Sequence, residues 1–145
     1  MTKATLILSP CAGEPELTDP AVTGIFAEEM AAIAAEEHVY PWCGHIGRRD
    51  GVPVGFGGFK TPPDADGAVE IGYLTFPAHE GTGVAKAIAA AMVELARGNG
   101  ARRVVAHTLA ELNPSTSVLA ANDFVRDGEA IDPDEGIVWR WVLDL

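Results

Sequence analysis

The chain has 145 residues, of which 48% are hydrophobic and 21% charged, a composition typical of one folded domain with a sizeable core. Its formal net charge of -11 argues against nucleic acid or an anionic membrane surface as a partner, because both require a basic face. No apolar run approaches the roughly 20 residues that cross a bilayer, and the first residues lack the features of a secretory signal. The sequence therefore predicts a single domain over residues 1–145, no membrane contact and a cytoplasmic location.

Charge and cysteine content indicate which ligands and metal sites to expect. An acidic surface favours cationic ligands, amines included, although acidity is also common in proteins that are merely soluble. Cys11 and Cys43 belong to no disulfide or zinc motif, and His38 and His45 have no partners at metal-ligand spacing. No metal site is predicted.

Hydrophobic periodicity and turn residues predict alternating strands and helices. The first helix is amphipathic with one break allowed, and Thr18 or Asp19 is its N-cap. Asp50-Gly51 predicts a tight hairpin turn because this pair tolerates positive φ, and Asn113 is the predicted cap of the last helix. In chain order, the predicted elements are strand 5–8, helix 21–38, strands 42–48, 52–60 and 68–76, helix 84–97, strand 103–109, helix 114–122, and strands 124–129 and 137–143.

The order of these elements predicts a mixed sheet. The first three strands can pair antiparallel, whereas the connection through helix 84–97 makes strands 68–76 and 103–109 parallel neighbours. The predicted fold class is therefore α/β of the mixed α+β kind, with helices on the faces of the sheet.

A glycine-containing loop joins strand 68–76 to the long helix. Gly81-Thr82-Gly83 follows the strand by a few residues and opens directly into the Ala-rich helix. The free backbone N–H groups and the positive end of the helix dipole converge at such a point, which is a phosphate-binding arrangement. The chain is therefore predicted to bind a phosphorylated ligand.

Four segments in order resemble the GCN5-related N-acetyltransferase (GNAT) family, and within it the RimJ/RimL-like subgroup. They are GFK-x-PPDADG-x-VEIGY at 58–73, FPAHEGTGVA at 76–85, RRVVAHTLAELNPSTSVLAANDF at 102–124 and DPDEG-x-VWRW at 132–141. The resemblance implies a mixed, mostly antiparallel sheet of six to seven strands, in which a central parallel pair is splayed into a V and helices cover both faces.

The resemblance also implies an activity. It indicates that acetyl-CoA is the co-substrate and that its acetyl group passes to a primary amine, in a small molecule or at a protein N-terminus, by direct attack. A homodimer is compatible with it. The alternative is a domain that binds or senses acyl-CoA without catalysis.

Cofactor contacts are implied at two places. The backbone at the end of a bulged strand 68–76 would pair with pantetheine, and main-chain N–H groups of the loop would hold pyrophosphate. Glu80 stands where the family has Arg or Gln, so weakened binding is expected. Asn113 would contact the cofactor, cap its helix, or both. The implied cofactor-binding residues are Leu74, Thr75, Phe76, Glu80, Gly81, Thr82, Gly83, Val84, Ala85 and Asn113.

Two residues are implied in catalysis. Glu70 is the candidate base for the amine, and the alternative is a solvated charge on the sheet. The family's frequent tyrosine acid falls at Leu119, so Ser115 is the candidate proton donor to CoA, unless it only satisfies the first turn of its helix. His107 shares a strand face with Val105 and Leu109 and is predicted to pack there.

Overall fold

The computed structural model describes residues 5–11, 19–26, 28, 30 and 39–145. The elements are β1 (Leu6–Pro10), α1 (Pro20–Thr23), a 3₁₀ turn (Gly24–Phe26), β2 (Gly44–Arg49), β3 (Val52–Phe59), β4 (Ala68–Thr75), a second 3₁₀ turn (Pro77–His79), α2 (Val84–Gly98), β5 (Arg103–Leu109), α3 (Pro114–Ala121), β6 (Val125–Asp132) and β7 (Gly136–Asp144).

The strands of the described chain form one seven-stranded sheet in the order β1-β2-β3-β4-β5-β7-β6. Every neighbouring pair is antiparallel except β4 and β5, which are parallel. The parallel pairing covers only Ala68–Glu70 against Arg103–Val105, after which the two strands separate. The predicted fold class, with its parallel pair splayed into a V, is confirmed.

α2 packs on one face of the sheet because three strand positions there carry no side chain. A Cβ added at Gly47, Gly55 or Gly57 would lie 3.3, 2.7 and 2.7 Å from side-chain atoms of Ile88. Ile88 and Met92 are fully buried in the main core between α2 and the sheet. The absence of side chains on these glycines sets how closely the helix can approach.

The opposite face of the sheet carries a second, smaller core. Ile46, Phe56 and Phe76 pack there with Met30, which is fully buried, and the segment around α1 contributes partly buried side chains. Helices therefore lie on both faces, as predicted. Among the described residues no helix is long and apolar enough to cross a membrane.

The start of the first predicted helix is confirmed. The Asp19 carboxylate accepts the Ala21 N–H at 2.9 Å, so Asp19 caps α1. The helix changes to a 3₁₀ turn at Gly24, whose φ of 59° is left-handed, in agreement with the single allowed break. The alternative cap Thr18 and most of the remainder of the 21–38 prediction lie outside the described residues.

The largest boundary error is at the last hairpin. The predicted strands end at 129 and resume at 137, but β6 runs to Asp132 and β7 starts at Gly136, and these two residues pair. The Asp132 carboxylate accepts the N–H groups of Asp134 and Glu135 at 2.8 and 2.9 Å. This compact turn allows the ladder to continue to its tip.

Candidate active site

The opening between β4 and β5 is the centre of the candidate site. The parallel ladder ends at the Glu70–Val105 pair, while β4 continues to Thr75 with β3 as its partner. One edge of β4 beyond Glu70 therefore has no neighbouring strand. The backbone groups on that edge are available to an extended ligand.

Strand register identifies which backbone groups point into the opening. The Phe76 N–H donates to the Val54 carbonyl and the Lys60 N–H donates to the Glu70 carbonyl, both at 2.9 Å. Hydrogen-bonded pairs alternate in an antiparallel ladder, so Leu74 also bonds to β3, whereas Tyr73 and Thr75 present N–H and carbonyl groups to the opening.

The backbone groups of Leu74 and Phe76, which were expected to contact pantetheine, point away from the opening. The Leu74 carbonyl faces β3, since a Cβ on Gly55 would lie 2.6 Å from that oxygen. The Phe76 N–H is bonded to Val54, its carbonyl accepts the His79 N–H, and its side chain is buried. Thr75 remains a candidate, and Tyr73 joins it.

The expected bulge in β4 is also absent from the ladder. Pairing with β3 runs in unbroken register from Thr75 opposite Gly55 to Ile71 opposite Phe59. The V opens where the parallel pairing of β4 with β5 stops after three residues, without an extra residue in the β3–β4 ladder.

The glycine loop has the geometry predicted for an anion site. Gly81 and Gly83 have φ of 75° and 78°, and Gly83 is the N-cap of α2 without any side-chain cap. The first hydrogen bond of α2 joins the Ala87 N–H to the Gly83 carbonyl at 3.1 Å. The N–H groups of Val84, Ala85 and Lys86 therefore have no partner within the helix.

The glycine loop has a negative side chain, Glu80, within it and a positive side chain, Arg49, beside it. Glu80 is exposed and forms no ion pair with any described residue. On the β2 side, Arg49 Nη1 donates to the Thr82 carbonyl at 2.9 Å. The Thr82 hydroxyl donates to the His79 carbonyl at 2.6 Å, which fixes the loop from within.

Glu70 lies at the base of the V on the face opposite α2. Lys60 Nζ is 2.9 Å from one carboxylate oxygen, and His107 Nδ1 on β5 is 3.5 Å from the other. The Glu70 and His107 side chains are 30% and 27% exposed. His107, which was predicted to pack on the sheet, is half-buried there and lies beside the candidate base.

The β6–β7 hairpin adds a carboxylate near this group. The pKa of Asp132 is lowered mainly because its carboxylate accepts the Glu135 and Asp134 N–H groups, and the charges of Lys60 and His107 act in the same direction. The lowered pKa keeps the Asp132 carboxylate ionised at neutral pH, and the two groups that contribute charge, Lys60 and His107, are the neighbours of Glu70.

Ser115 lies on the other face, where α3 approaches β4. The Tyr73 hydroxyl is 3.1 Å from Ser115 Oγ and also donates to the Ser115 carbonyl at 3.3 Å. Burial raises the pKa of Tyr73, and the Ser115 hydrogen bond opposes this in part. The phenol is therefore a neutral hydrogen-bond donor near pH 7, a partner that sequence periodicity could not identify.

Asn113 and Leu119 complete this side. The Asn113 side chain accepts a hydrogen bond from the Thr116 N–H, and the Asn113 backbone N–H donates to the Thr116 hydroxyl, both at 3.0 Å. The capping role of Asn113 is therefore observed. Leu119 is fully buried in the core. Within the described residues no group of three or more His, Cys, Asp or Glu side chains could hold a metal ion.

The sequence matches one family over most of its length. The profile of the acetyltransferase (GNAT) domain matches residues 11–125 of the 145. The chain therefore belongs to the GNAT acetyltransferase domain family, whose enzymes use acetyl-CoA as co-substrate. No curated protein sequence gives a significant match.

Solved structures share the fold at low identity. An acetyl transferase from Salmonella typhimurium that modifies the N-terminal serine of ribosomal protein L7/L12 has a TM-score of 0.76 at 18% identity, over 97% of this chain and 95% of that chain. The aminoglycoside acetyltransferase AAC(6')-Ib in complex with coenzyme A has 0.73 at 17%, over 97% and 94%. The putative acetyltransferase yncA from Salmonella typhimurium, solved with acetyl-CoA, has 0.71 at 18%, over 99% and 95%.

Two other similar structures are longer than this chain. The match spans 61% of a probable acetyltransferase and 62% of RimL, a ribosomal L7/L12 α-N-protein acetyltransferase solved with coenzyme A. RimL is thus among the proteins whose fold this chain shares.

Proposed function

We propose that this protein transfers the acetyl group of acetyl-CoA to a primary amine. The observation that carries the proposal is the opening between β4 and β5. It adjoins a helix N-terminus whose first N–H groups have no partner within the helix, and titratable side chains lie on both of its faces. A base on one face and an acid on the other suit an amine and a thioester that meet within the opening.

The backbone supplies the sites for the co-substrate. The N–H groups at the start of α2, together with the loop glycines, fit the pyrophosphate of CoA. The free edge of β4 at Tyr73 and Thr75 fits the pantetheine arm. An N–H group of that edge directed at the thioester carbonyl would stabilise the developing negative charge, an effect of about 3–4 kcal/mol for one well-placed donor.

The amine loses its proton on the Glu70 face. Attack requires a neutral nitrogen, so the ammonium proton passes to the Glu70–His107 pair directly or through one water. Lys60 holds one carboxylate oxygen of Glu70, which leaves the oxygen near His107 to orient the ring. The new carbon–nitrogen bond forms as the carbon–sulfur bond breaks, and the second proton that the nitrogen loses replaces the one that Ser115 gives to the sulfur.

The CoA sulfur takes up a proton on the α2 face. Ser115 is the candidate donor, and the Tyr73 phenol supports it. The phenol has one proton, which goes either to the Ser115 carbonyl or to Ser115 Oγ, and when it goes to Oγ the serine proton is free to point at the sulfur. Because burial raises the pKa of Tyr73, the phenol keeps its proton at neutral pH.

The acceptor is proposed to be the primary amine of a small molecule or of a protein N-terminus. The carboxylates of Glu70 and Asp132 on the acceptor face would attract an ammonium group before it loses its proton. Proteins of the same fold include enzymes for an aminoglycoside and for a ribosomal protein N-terminus, so both acceptor types belong in a screen. A cytoplasmic location, a single-domain chain and a homodimer stay predictions.

The experiment that tests the proposal has two stages. A thermal-shift titration with acetyl-CoA, ATP and NAD should raise the melting temperature with acetyl-CoA alone, since a ligand that binds only the folded state stabilises it. Release of free thiol from acetyl-CoA is then measured against a panel of amines and N-terminal peptides. Binding without turnover of any amine would favour the CoA-sensing alternative, and absence of binding would contradict both.

A further inference from the structure

The phosphate loop carries a negative side chain beside the position predicted for an anion, and a cation from another part of the chain could compensate for it. Pyrophosphate is strongly anionic, yet the stretch 77–85 carries the carboxylate of Glu80 and no Lys or Arg, and the nearest cation in sequence is Lys86 in the first turn of α2. A negative side chain near a bound phosphate weakens its binding. A cation that lies outside this stretch of sequence would offset the effect.

Arg49, at the end of β2, is held against this loop. Its Nη1 donates to the Thr82 carbonyl across the 33 residues that separate them in sequence. No described carboxylate forms an ion pair with Arg49, so its charge is not neutralised locally. The turn Asp50-Gly51, with φ of 51° and 76°, fixes the end of β2 from which the side chain extends.

One hydrogen-bonding group of the Arg49 side chain finds no acceptor in the part of the chain that the structure describes. Its Nε is buried and has no hydrogen-bond partner among those residues. A buried donor without an acceptor is unfavourable for folding and is rare in native proteins, so its retention needs a reason other than stability. The positive charge that the guanidinium brings to the loop is such a reason.

The hydrogen bond to Thr82 has a second consequence. A carbonyl oxygen that turned towards a phosphate would repel it, whereas the N–H groups on the other side of the loop attract it. Arg49 holds the Thr82 carbonyl on the β2 side, so this oxygen is kept from turning towards a phosphate bound at the start of α2.

We propose that Arg49 is a positioning residue for the phosphate groups of CoA, and that from β2 it replaces the cation missing at Glu80. The proposal rests on the proposed function, because it assumes that CoA binds at the glycine loop. Arg49 acts through Thr82 and through its electric field, so it should affect binding of the phosphates and leave acetyl transfer itself unchanged.

The test compares Arg49→Met with Arg48→Met, a matched control whose guanidinium bonds to Ser9 on β1. Arg49→Met should raise the Kd for CoA and the KM for acetyl-CoA about tenfold, the scale of one charge-assisted interaction, with kcat unchanged. The KM for S-acetylpantetheine, which lacks the pyrophosphate and the 3′-phosphate, should not change. Arg48→Met should behave like the wild type.

Two further variants guard against a purely structural effect. Arg49→Lys keeps the charge and should recover part of the affinity. Glu80→Arg in the Arg49→Met background puts a cation at the family position and should restore CoA binding. Equal losses for acetyl-CoA and S-acetylpantetheine, or unchanged CoA affinity in Arg49→Met, would overturn the proposal. Failure of the wild-type protein to bind CoA would instead overturn the proposed function, and this inference with it.

Discussion

At the scale of single residues, the chemistry of this site depends on pairs that come from different strands. Glu70 was predicted as a base from its own position, but His107 was not, since its strand neighbours indicated packing. The two residues are 37 positions apart and meet because β4 and β5 are parallel with Glu70 opposite Val105. Side-chain periodicity within one strand contains no information of that kind.

The Glu70–His107 pair leads to a prediction about catalysis. Glu70→Gln removes the charged oxygen that orients His107 and should lower kcat by about 10²-fold or more, the usual contribution of a general base. The KM for acetyl-CoA should stay within about twofold, because Glu70 lies on the face away from the phosphate loop. Steady-state kinetics with the best amine of the screen measures both values.

The control for this variant is Glu94→Gln. Glu94 is an exposed carboxylate on α2 that pairs with Arg97, and its loss should leave kcat unchanged. Full activity of Glu70→Gln would remove Glu70 from the mechanism and leave it as a charge on the sheet surface.

The sequence also could not show which β4 residues direct their backbone groups into the opening. Leu74, Thr75 and Phe76 were grouped by family resemblance, yet only Thr75 directs its N–H to the opening. Which residue faces a neighbour changes at every position along a strand, so a shift of one residue reverses the assignment. Fixing the register required the two observed bonds that flank the β3–β4 ladder.

At the scale of elements, the sequence predicted most helices and strands because their ends carry local signals. The capping residues Asp19 and Asn113 and the turn Asp50-Gly51 are all observed in the expected roles. The last hairpin was misplaced because Asp132 closes it through its own side chain, so an apparent loop is a continuation of two strands.

The close contact between α2 and the sheet predicts that one added methyl group, in Gly55→Ala, lowers the stability of the fold. Gly55→Ala would place a Cβ 2.6 Å from the Leu74 carbonyl oxygen, 2.7 Å from Ile88 Cδ1 and 3.0 Å from Val84 Cγ1. Because one of these atoms belongs to the backbone, the clash cannot be relieved by a rotamer change alone. A loss of about 1–3 kcal/mol in unfolding free energy is expected, measured by urea denaturation.

Gly98→Ala is the matched control for this substitution. Gly98 is the last residue of α2, and a Cβ there would meet nothing within 4 Å. Alanine should be neutral or stabilising by up to about 1 kcal/mol at this position. Equal stability of the two variants would contradict the close approach of α2 to β3.

At the scale of the whole molecule, the sheet separates the two halves of the chemistry. Glu70 and His107 lie on one face, and Tyr73, Ser115 and the start of α2 lie on the other. The order of elements was enough to predict the parallel pair. The separation of base and acid was not predictable, because it depends on the register of β4 against both neighbours and on where the parallel pairing stops.

The buried His45 makes the stability of the whole fold depend on pH. The ring is 1% exposed, its Nε2 lies 2.8 Å from the Pro41 carbonyl, and Phe59 packs against it. Burial lowers the pKa of His45 below 6.5, and the hydrogen bond to Pro41 only partly opposes this. The folded state therefore holds the neutral ring, whereas the unfolded chain takes up a proton as the pH falls through about 6.5.

The sign of the pH effect follows from this difference in proton binding. Above pH 6.5 both states are neutral at His45 and its full contribution to stability is present. Below that value the unfolded chain binds more protons than the folded one, so the free energy of unfolding falls as the pH is lowered towards the folded-state pKa. Urea denaturation between pH 7.5 and 5.5 should show this fall, above the range in which carboxylates dominate the titration.

His45→Gln isolates the contribution of this histidine. The variant retains an amide that can donate to Pro41 but cannot titrate, so its stability should change less between pH 7.5 and 5.5 than that of the wild type. Other histidines and the carboxylates are common to both proteins and cancel in the comparison. Parallel curves for the two proteins would show that protonation of His45 is not linked to folding, and that the buried site accommodates the charged ring.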